Sequence, residues 1–216
     1  MSRRALVVAV DGPGGSGKST VSRAVAARLG IPHLDTGAFY RAATLAVLQA
    51  GAERSDEAAV LEAVAGRRFE QVDAVLLLDG VDVSGAIRSG RVTAAVSEVS
   101  AHPRLRALMV TIQREWVTAR GGSAVVEGRD IGSVVFPEAA VKVFLTADPA
   151  ERARRRAHER GEHASDHAAA LARRDAFDAT RAASPMLPAE GAVVIDTTDL
   201  GFEQVVEAVL ALAGER

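Results

Sequence analysis

Gly12-Pro13-Gly14-Gly15-Ser16-Gly17-Lys18-Ser19 is a phosphate-wrapping loop written in sequence. It matches G-x-x-x-x-G-K-[ST] in full. Glycines at 12, 14, 15 and 17 allow positive φ, so the backbone can turn its N–H groups inward. A helix starting behind the loop adds partial positive charge under the phosphates. Lys18 is expected to reach the β and γ phosphates, and the Ser19 hydroxyl to hold Mg2+. Pro13, Ser16 and Thr20 complete the stretch expected to bind ATP. The choice of lysine is informative in itself. Only two of the 26 basic residues are lysine, Lys18 and Lys142. Arginine carries a larger planar fork suited to bidentate pairing, whereas a loop closed around phosphate has room for a compact ammonium.

The flanks agree with the loop. Leu6–Val10 is a short apolar run of the kind that forms a buried parallel strand. Behind the loop, Val21, Val25 and Leu29 recur at helical spacing, and Gly30 stands where a helix would end. Further strand-like runs occur at Pro32–Asp35, Ala124–Glu127, Val141–Thr146 and Val193–Asp196. Helical patterns lie between them, at Gly37–Gln49, Pro103–Thr118, Pro149–Arg160, His167–Arg181 and Phe202–Leu212. This alternation implies an α/β fold: a P-loop core with a parallel sheet flanked by helices. Ligands bind at the carboxyl ends of such strands, which is where the loop and Gly128-Arg129-Asp130 fall. Residues 67–87 break the rhythm. Arg67–Val72 and Val75–Leu78 look extended and Asp79-Gly80 is a turn signal, so a small β insert is expected.

Composition narrows the function classes. A net charge of −2 with 4% aromatic residues does not provide the basic, aromatic-bearing face of a nucleic-acid binder. With no cysteine there is neither a disulfide framework nor a thiolate metal site. The first apolar run is too short for a signal peptide or a membrane span. A cytoplasmic enzyme without a membrane partner is expected.

Three further segments carry charge in places that suit phosphate. In Asp35-Thr36-Gly37-Ala38-Phe39-Tyr40-Arg41, Thr36 could cap a helix from Gly37, with Arg41 one turn in. Arg41 is then either a solvated side chain or a phosphate clamp. Arg129 and Asp130 end a buried strand and are expected to face ligand. Asp148 and Pro149 open a helix as N-cap and N1, and put Arg152, Arg155 and Arg156 on one face with only Glu159 offsetting them. Arginines closing over the phosphates would supply charge and exclude water. Arg174, Asp178 and Arg181 recur near helical spacing, a mixed set suited to ribose hydroxyls and a phosphate. His163 and His167 lack the H-E-x-x-H pattern and are expected to be exposed histidines rather than metal ligands.

Taken together, these strings resemble the bacterial cytidylate kinases. The likeness rests on the P-loop, Asp35–Arg41, Asp82-Val83-Ser84-Gly85-Ala86-Ile87-Arg88, Gly128-Arg129-Asp130-Ile131-Gly132-Ser133-Val134-Val135-Phe136-Pro137 and Arg173-Arg174-Asp175. Thr36 departs from the Ser common there but keeps the hydroxyl. The resemblance implies a single P-loop kinase domain over residues 1–216, with a nucleoside-monophosphate insert at about 52–96 and a short lid at about 149–167. It implies transfer of the ATP γ-phosphoryl group to CMP or dCMP, in pyrimidine nucleotide metabolism, with Mg2+. Arg41 and Arg129 would hold the CMP phosphate, with Thr36 and Tyr40 also at CMP. Ser97, Arg106 and Asp130 would contact cytosine, and Arg174 and Asp178 the sugar, with Arg181 nearby. Lys18, Arg129, Arg152 and Arg156 would act on the transferring group. A monomer is expected.

The rival readings are weaker. Kinases of UMP, AMP or shikimate would share the P-loop mechanism and differ in the acceptor. A GTPase-type switch reads guanine through Asn-Lys-x-Asp, and neither Lys18 nor Lys142 sits in such a sequence. A module that only binds nucleotide has no need of an arginine-rich lid.

Overall fold

The computed structural model describes residues 5–160, 164–180 and 184–214. In chain order its strands are β1 (Val7–Asp11), β2 (His33–Asp35), β3 (Phe69–Val72), β4 (Val75–Leu78), β5 (Val81–Asp82), β6 (Ala124–Gly128), β7 (Val141–Thr146) and β8 (Val193–Asp196). Its helices are α1 (Lys18–Leu29), α2 (Thr36–Ala50), α3 (Glu57–Val64), α4 (Gly90–Val99), α5 (Pro103–Thr118), α6 (Pro149–Arg160), α7 (Ala164–Ala179) and α8 (Phe202–Gly214). The chain divides into two compact units, one of Met1–His33 with Arg120–Arg216 and one of Leu34–Ala119. The insert expected at about 52–96 lies within the second.

The first unit carries the main sheet, in the strand order β2-β6-β1-β7-β8. β1 pairs in parallel with both β6 and β7, and β7 in parallel with β8. β2 enters this sheet at the unit boundary, where Val125 N–H donates to the Pro32 carbonyl at 2.9 Å. The central strands are apolar on both faces because helices cover a doubly wound sheet. Val8, Val10, Val125, Val141, Val143 and Leu145 form one buried layer with Val21 and Val25 of α1 and Val205, Val206 and Val209 of α8. Helix α1 ends where the sequence places its stop: Gly30 takes φ 66° and its N–H closes on the last turn. Among the described residues, no helix is long and apolar enough to cross a membrane.

The second unit packs α2–α5 with a three-stranded antiparallel sheet, β3-β4-β5. Phe39 of α2 stacks with Phe69 of β3 at 6.5 Å between ring centroids. Trp116 of α5 buries its ring and donates its indole N–H to the Gln71 carbonyl at 3.1 Å. Asp79 and Gly80 join β4 to β5 with φ of 54° and 81°, the geometry of a tight hairpin turn.

Elements with a long periodic pattern lie where the sequence puts them, and Pro103–Thr118 and Pro149–Arg160 match to the residue. The helix expected at His167–Arg181 instead spans Ala164–Ala179. Thr36 is not the cap of α2 but its first residue. Asp35 is the N-cap, and its carboxylate accepts the Ala38 N–H at 3.1 Å, a stronger acceptor than a hydroxyl. Helices α3 and α4 had no counterpart in the sequence reading. Both are short, and α4 begins with Gly90, which blurs a helical start.

Candidate active site

In the first unit, the carboxyl ends of β1 and β6 bring together the P-loop, Ser19, Glu127 and Arg129. The P-loop leaves β1 at Asp11 and enters α1 at Lys18. Gly12, Gly15 and Gly17 adopt φ of 142°, 77° and 85°. Gly14 does not share the positive φ expected of it, so three glycines make the turn rather than four. Space matters as much as φ: a Cβ on Gly12 would lie 2.0 Å from the Leu145 carbonyl oxygen, and one on Gly15 2.6 Å from that of Arg152. No L side chain fits at either place.

Lys18 leads the helix. Its Nζ donates to the Pro13 carbonyl at 2.6 Å, which folds the ammonium back over the loop. Ser19 follows, and its hydroxyl donates to Glu127 Oε2 at 2.7 Å. The other carboxylate oxygen of Glu127 lies 3.0 Å from His33 Nε2. Burial opposes ionisation of Glu127, but its bonds with His33 and Ser19 and the nearby Lys18 charge outweigh it and hold the carboxyl below the usual range. An ionised Glu127 that accepts the Ser19 hydroxyl hydrogen leaves the hydroxyl lone pairs available to a cation. Among the described residues no cluster of three His, Cys, Asp or Glu could hold a metal by itself. Mg2+ is commonly bound by one or two protein oxygens together with substrate phosphates, and the Ser19 hydroxyl could be one such oxygen.

Arg129, just past β6, binds the same loop. Its Nη1 donates to the Gly12 carbonyl at 2.6 Å, and its Nε pairs with Asp178 Oδ2 at 3.1 Å. Asp175 Oδ1 lies 3.8 Å away. Burial pulls the Arg129 guanidinium below its ordinary pKa; Asp175 opposes that and Arg152 reinforces it. Arg152 of α6 is buried. It donates to the Gly14 carbonyl at 3.1 Å and pairs closely with Asp175, which in turn accepts the Gly14 N–H at 3.3 Å. So Arg129, Arg152, Asp175 and Asp178 form one charged network around the loop.

Asp130 is buried at the head of a single π-helical turn, Ile131–Val135. Arg155 differs from its expected role. It is held by Glu151 at 2.7 Å and by Thr197, through Oγ1 at 2.9 Å and the carbonyl at 2.6 Å. Glu151, with Arg154 and Arg155 bound to it, titrates at about 2. The arginine side of α6 is therefore offset by Glu151, a carboxylate one turn earlier that reaches i+3 and i+4. Arg156 is half-buried on the same helix. Thr20 is exposed on α1. The side chains of Glu159, His163, His167 and Arg174, residue Arg181, and the lid stretch 161–163 lie outside the described residues.

The second unit gathers the other expected acceptor residues. Arg41 is not a solvated surface side chain: its Nη1 donates to the Ile87 carbonyl at 3.1 Å and to Thr93 Oγ1 at 3.0 Å. Arg106 is buried on α5, donates to the Ser100 carbonyl at 3.1 Å, and stands 5.1 Å over the Tyr40 ring. Ser97 is half-buried on α4, its carbonyl accepting from the Ser100 hydroxyl. Thr36 is buried at the start of α2.

Residues 8–215 match the family model described as cytidylate kinase. A cytidylate kinase of Rhodococcus opacus is 47% identical over 228 residues, covering 100% of this chain and 98% of that protein. One from Nocardia farcinica is 50% identical over 211 residues, covering 94% and 90%. This chain belongs to the cytidylate kinase family. A solved structure of an uncharacterized protein from Eubacterium ventriosum shares the fold alone, with a TM-score of 0.53, 11% identity and coverage of 98% and 99%.

Several residues of this family member's site were not singled out by the sequence reading. Asp11, Glu127, His33, Asp175 and Thr197 all hold the P-loop or its neighbours in place. A signal existed for two of them: Asp11 and Glu127 are carboxylates that close apolar strands, where burial without a task is costly. Asp175 and Thr197 act across long sequence separations, which no local pattern reveals.

Proposed function

We propose that this chain transfers the γ-phosphoryl group of ATP to CMP and dCMP, giving ADP with CDP or dCDP, as a cytoplasmic monomer. The observation that carries the reading is the hydrogen bond from Arg129 to Gly12, which ties a half-buried arginine of the acceptor set to the donor loop at 2.6 Å. The loop N–H groups and Lys18 hold the donor phosphates. Ser19 is placed to hold Mg2+, which when bound neutralises charge on the β and γ oxygens. Arg41 and Arg129 are assigned to the CMP phosphate, and Thr36 and Tyr40 also to CMP. Arg174 and Asp178 are assigned to the sugar, with Arg181 nearby. Arg152 and Arg156 stabilise charge on the transferring group. Transfer of this kind asks for position and charge rather than covalent help. No general base is needed, because the acceptor phosphate, with a second pKa of about 6, is already anionic near neutral pH.

Base choice follows from donor and acceptor patterns. Cytosine presents an N4 amino donor, for which a carboxylate is the natural partner, and Asp130 is assigned to it. Arg106 addresses the acceptor edge at O2 or N3, and Ser97 also contacts cytosine. Uracil reverses the pattern at N3 and at the 4-position, so polar groups there would meet their like, and sites that strand polar groups discriminate strongly. Asp130→Ala is expected to lose more activity with CMP than with UMP. An unchanged CMP/UMP ratio would take Asp130 out of base reading. The wider test is ADP formation with CMP, dCMP, UMP, AMP and shikimate offered separately. Turnover with CMP and dCMP and little with the others is expected, and preference for another acceptor would overturn the assignment.

A further inference from the structure

We propose that Asp11 is a positioning residue for acceptor recognition: its buried carboxylate holds the backbone at Ile131 and Gly132, and thereby sets the place of Arg129 and Asp130. The inference rests on the acceptor reading above. Asp11 ends β1 with 3% of its surface exposed. Both carboxylate oxygens are engaged at 2.8 Å, Oδ1 by the Ile131 N–H and Oδ2 by the Gly132 N–H. These are the first amides of the π-helical turn, which has no earlier residues to bond them. The turn is closed by Phe136 N–H to the Ile131 carbonyl at 2.6 Å and Val135 N–H to the Asp130 carbonyl at 3.2 Å. Asp130 sits at the N-cap with φ −145° and makes no capping bond through its side chain. The carboxylate that caps the turn is thus Asp11's, supplied from another strand. Gly132 is tightly seated as well, since a Cβ there would lie 3.2 Å from the Ala189 Cβ.

A buried carboxylate is a costly way to hold two amides, and a single-acceptor residue could not replace it. An asparagine in place of Asp11 would accept one N–H and oppose the other with its own amino group. The neighbours facing Asp11 are Asp130, Lys18 and Arg129; Asp130 disfavours its charge and Lys18 favours it. Burial dominates and raises the Asp11 carboxyl to about 6. With the folded pKa above the unfolded one, this group favours the folded chain most at low pH, and that contribution is lost as pH rises through about 6. Acidification therefore takes an acceptor away from the turn without destabilising the fold through this residue.

Asp11→Asn is the test, read by steady-state kinetics with CMP and UMP from pH 5 to 8. At pH 7.5 we expect kcat/KM for CMP to fall about tenfold or more, the loss of a hydrogen bond to a charged acceptor. The CMP/UMP ratio should shrink. The wild type should show an acid limb near pH 6 that the variant lacks, over and above the limb both share from the substrate phosphate. An unaltered ratio with identical acid limbs would overturn the proposal. Should the variant fail to fold, the wild type still decides: titration of the Asp11 carboxyl must shift the Ile131 and Gly132 amide resonances together while the chain stays folded. Absence of that shift would overturn it. A wild-type chain that turns over no CMP would instead overturn the acceptor reading and the role of Asp11 with it.

Discussion

Lys18→Ala should lower kcat for CDP formation by about a hundredfold or more, the scale of losing one preorganised donor to developing charge. The ammonium is already at the loop: it rests on the Pro13 carbonyl at 2.6 Å, within the turn proposed to surround the donor phosphates. Exchanging a carbonyl for a phosphate oxygen is a short movement with a gain in charge complementarity, so little reorganisation precedes transfer. The fold should survive the change, because Lys18 bonds to the loop and is not part of the apolar layer beneath it, although its charge no longer supports Glu127 and Asp11. Lys18→Arg should not rescue activity. The planar fork needs more room than a loop whose Gly12 and Gly15 admit no Cβ can offer. Saturating kinetics with MgATP and CMP, alongside a melting curve, check both variants. Lys18→Ala turnover within a few-fold of wild type would contradict the role.

Legibility in the sequence followed the range of the interaction. The P-loop, its strand and α1 are consecutive, so their glycines and periodicity could be read directly, and the Gly30 stop appears as expected. The hairpin at Asp79-Gly80 is equally local. Arg129 and Asp130 could be flagged because charge at the end of a buried strand demands a reason. Their actual partners could not. The Arg129–Asp178 pair, the Asp11 cap on the 131–135 turn and the Arg155–Thr197 anchor join residues far apart in the chain. Such contacts depend on topology, which periodicity does not encode. Short helices failed for a related reason. At 8 and 10 residues, α3 and α4 are too short to be stable alone, and packing against neighbours supplies the rest.

The network around Arg129 should make its replacement costly twice over, and the two costs can be separated. Arg129→Ala removes the guanidinium from Asp178, whose surface is 1% exposed, and from the Gly12 carbonyl. Leaving that carboxylate buried without this cation should destabilise the chain by about 3 kcal/mol. For a chain of this size that is a fall in Tm of roughly 6–12 °C. Activity should fall further than stability explains, with kcat/KM for CMP down about a hundredfold or more even well below the melting range. Arg129→Lys separates the effects. An ammonium can stay beside Asp178 and retain most of the stability, but it cannot span Asp178, the Gly12 carbonyl and a phosphate at once as the fork does. Its Tm should lie close to wild type while its kcat/KM for CMP stays near that of the alanine variant. Thermal melts and kinetics on the two variants give the answer. If both lost stability and neither lost CMP turnover, Arg129 would be a structural brace of the loop and the acceptor phosphate would have to be held elsewhere.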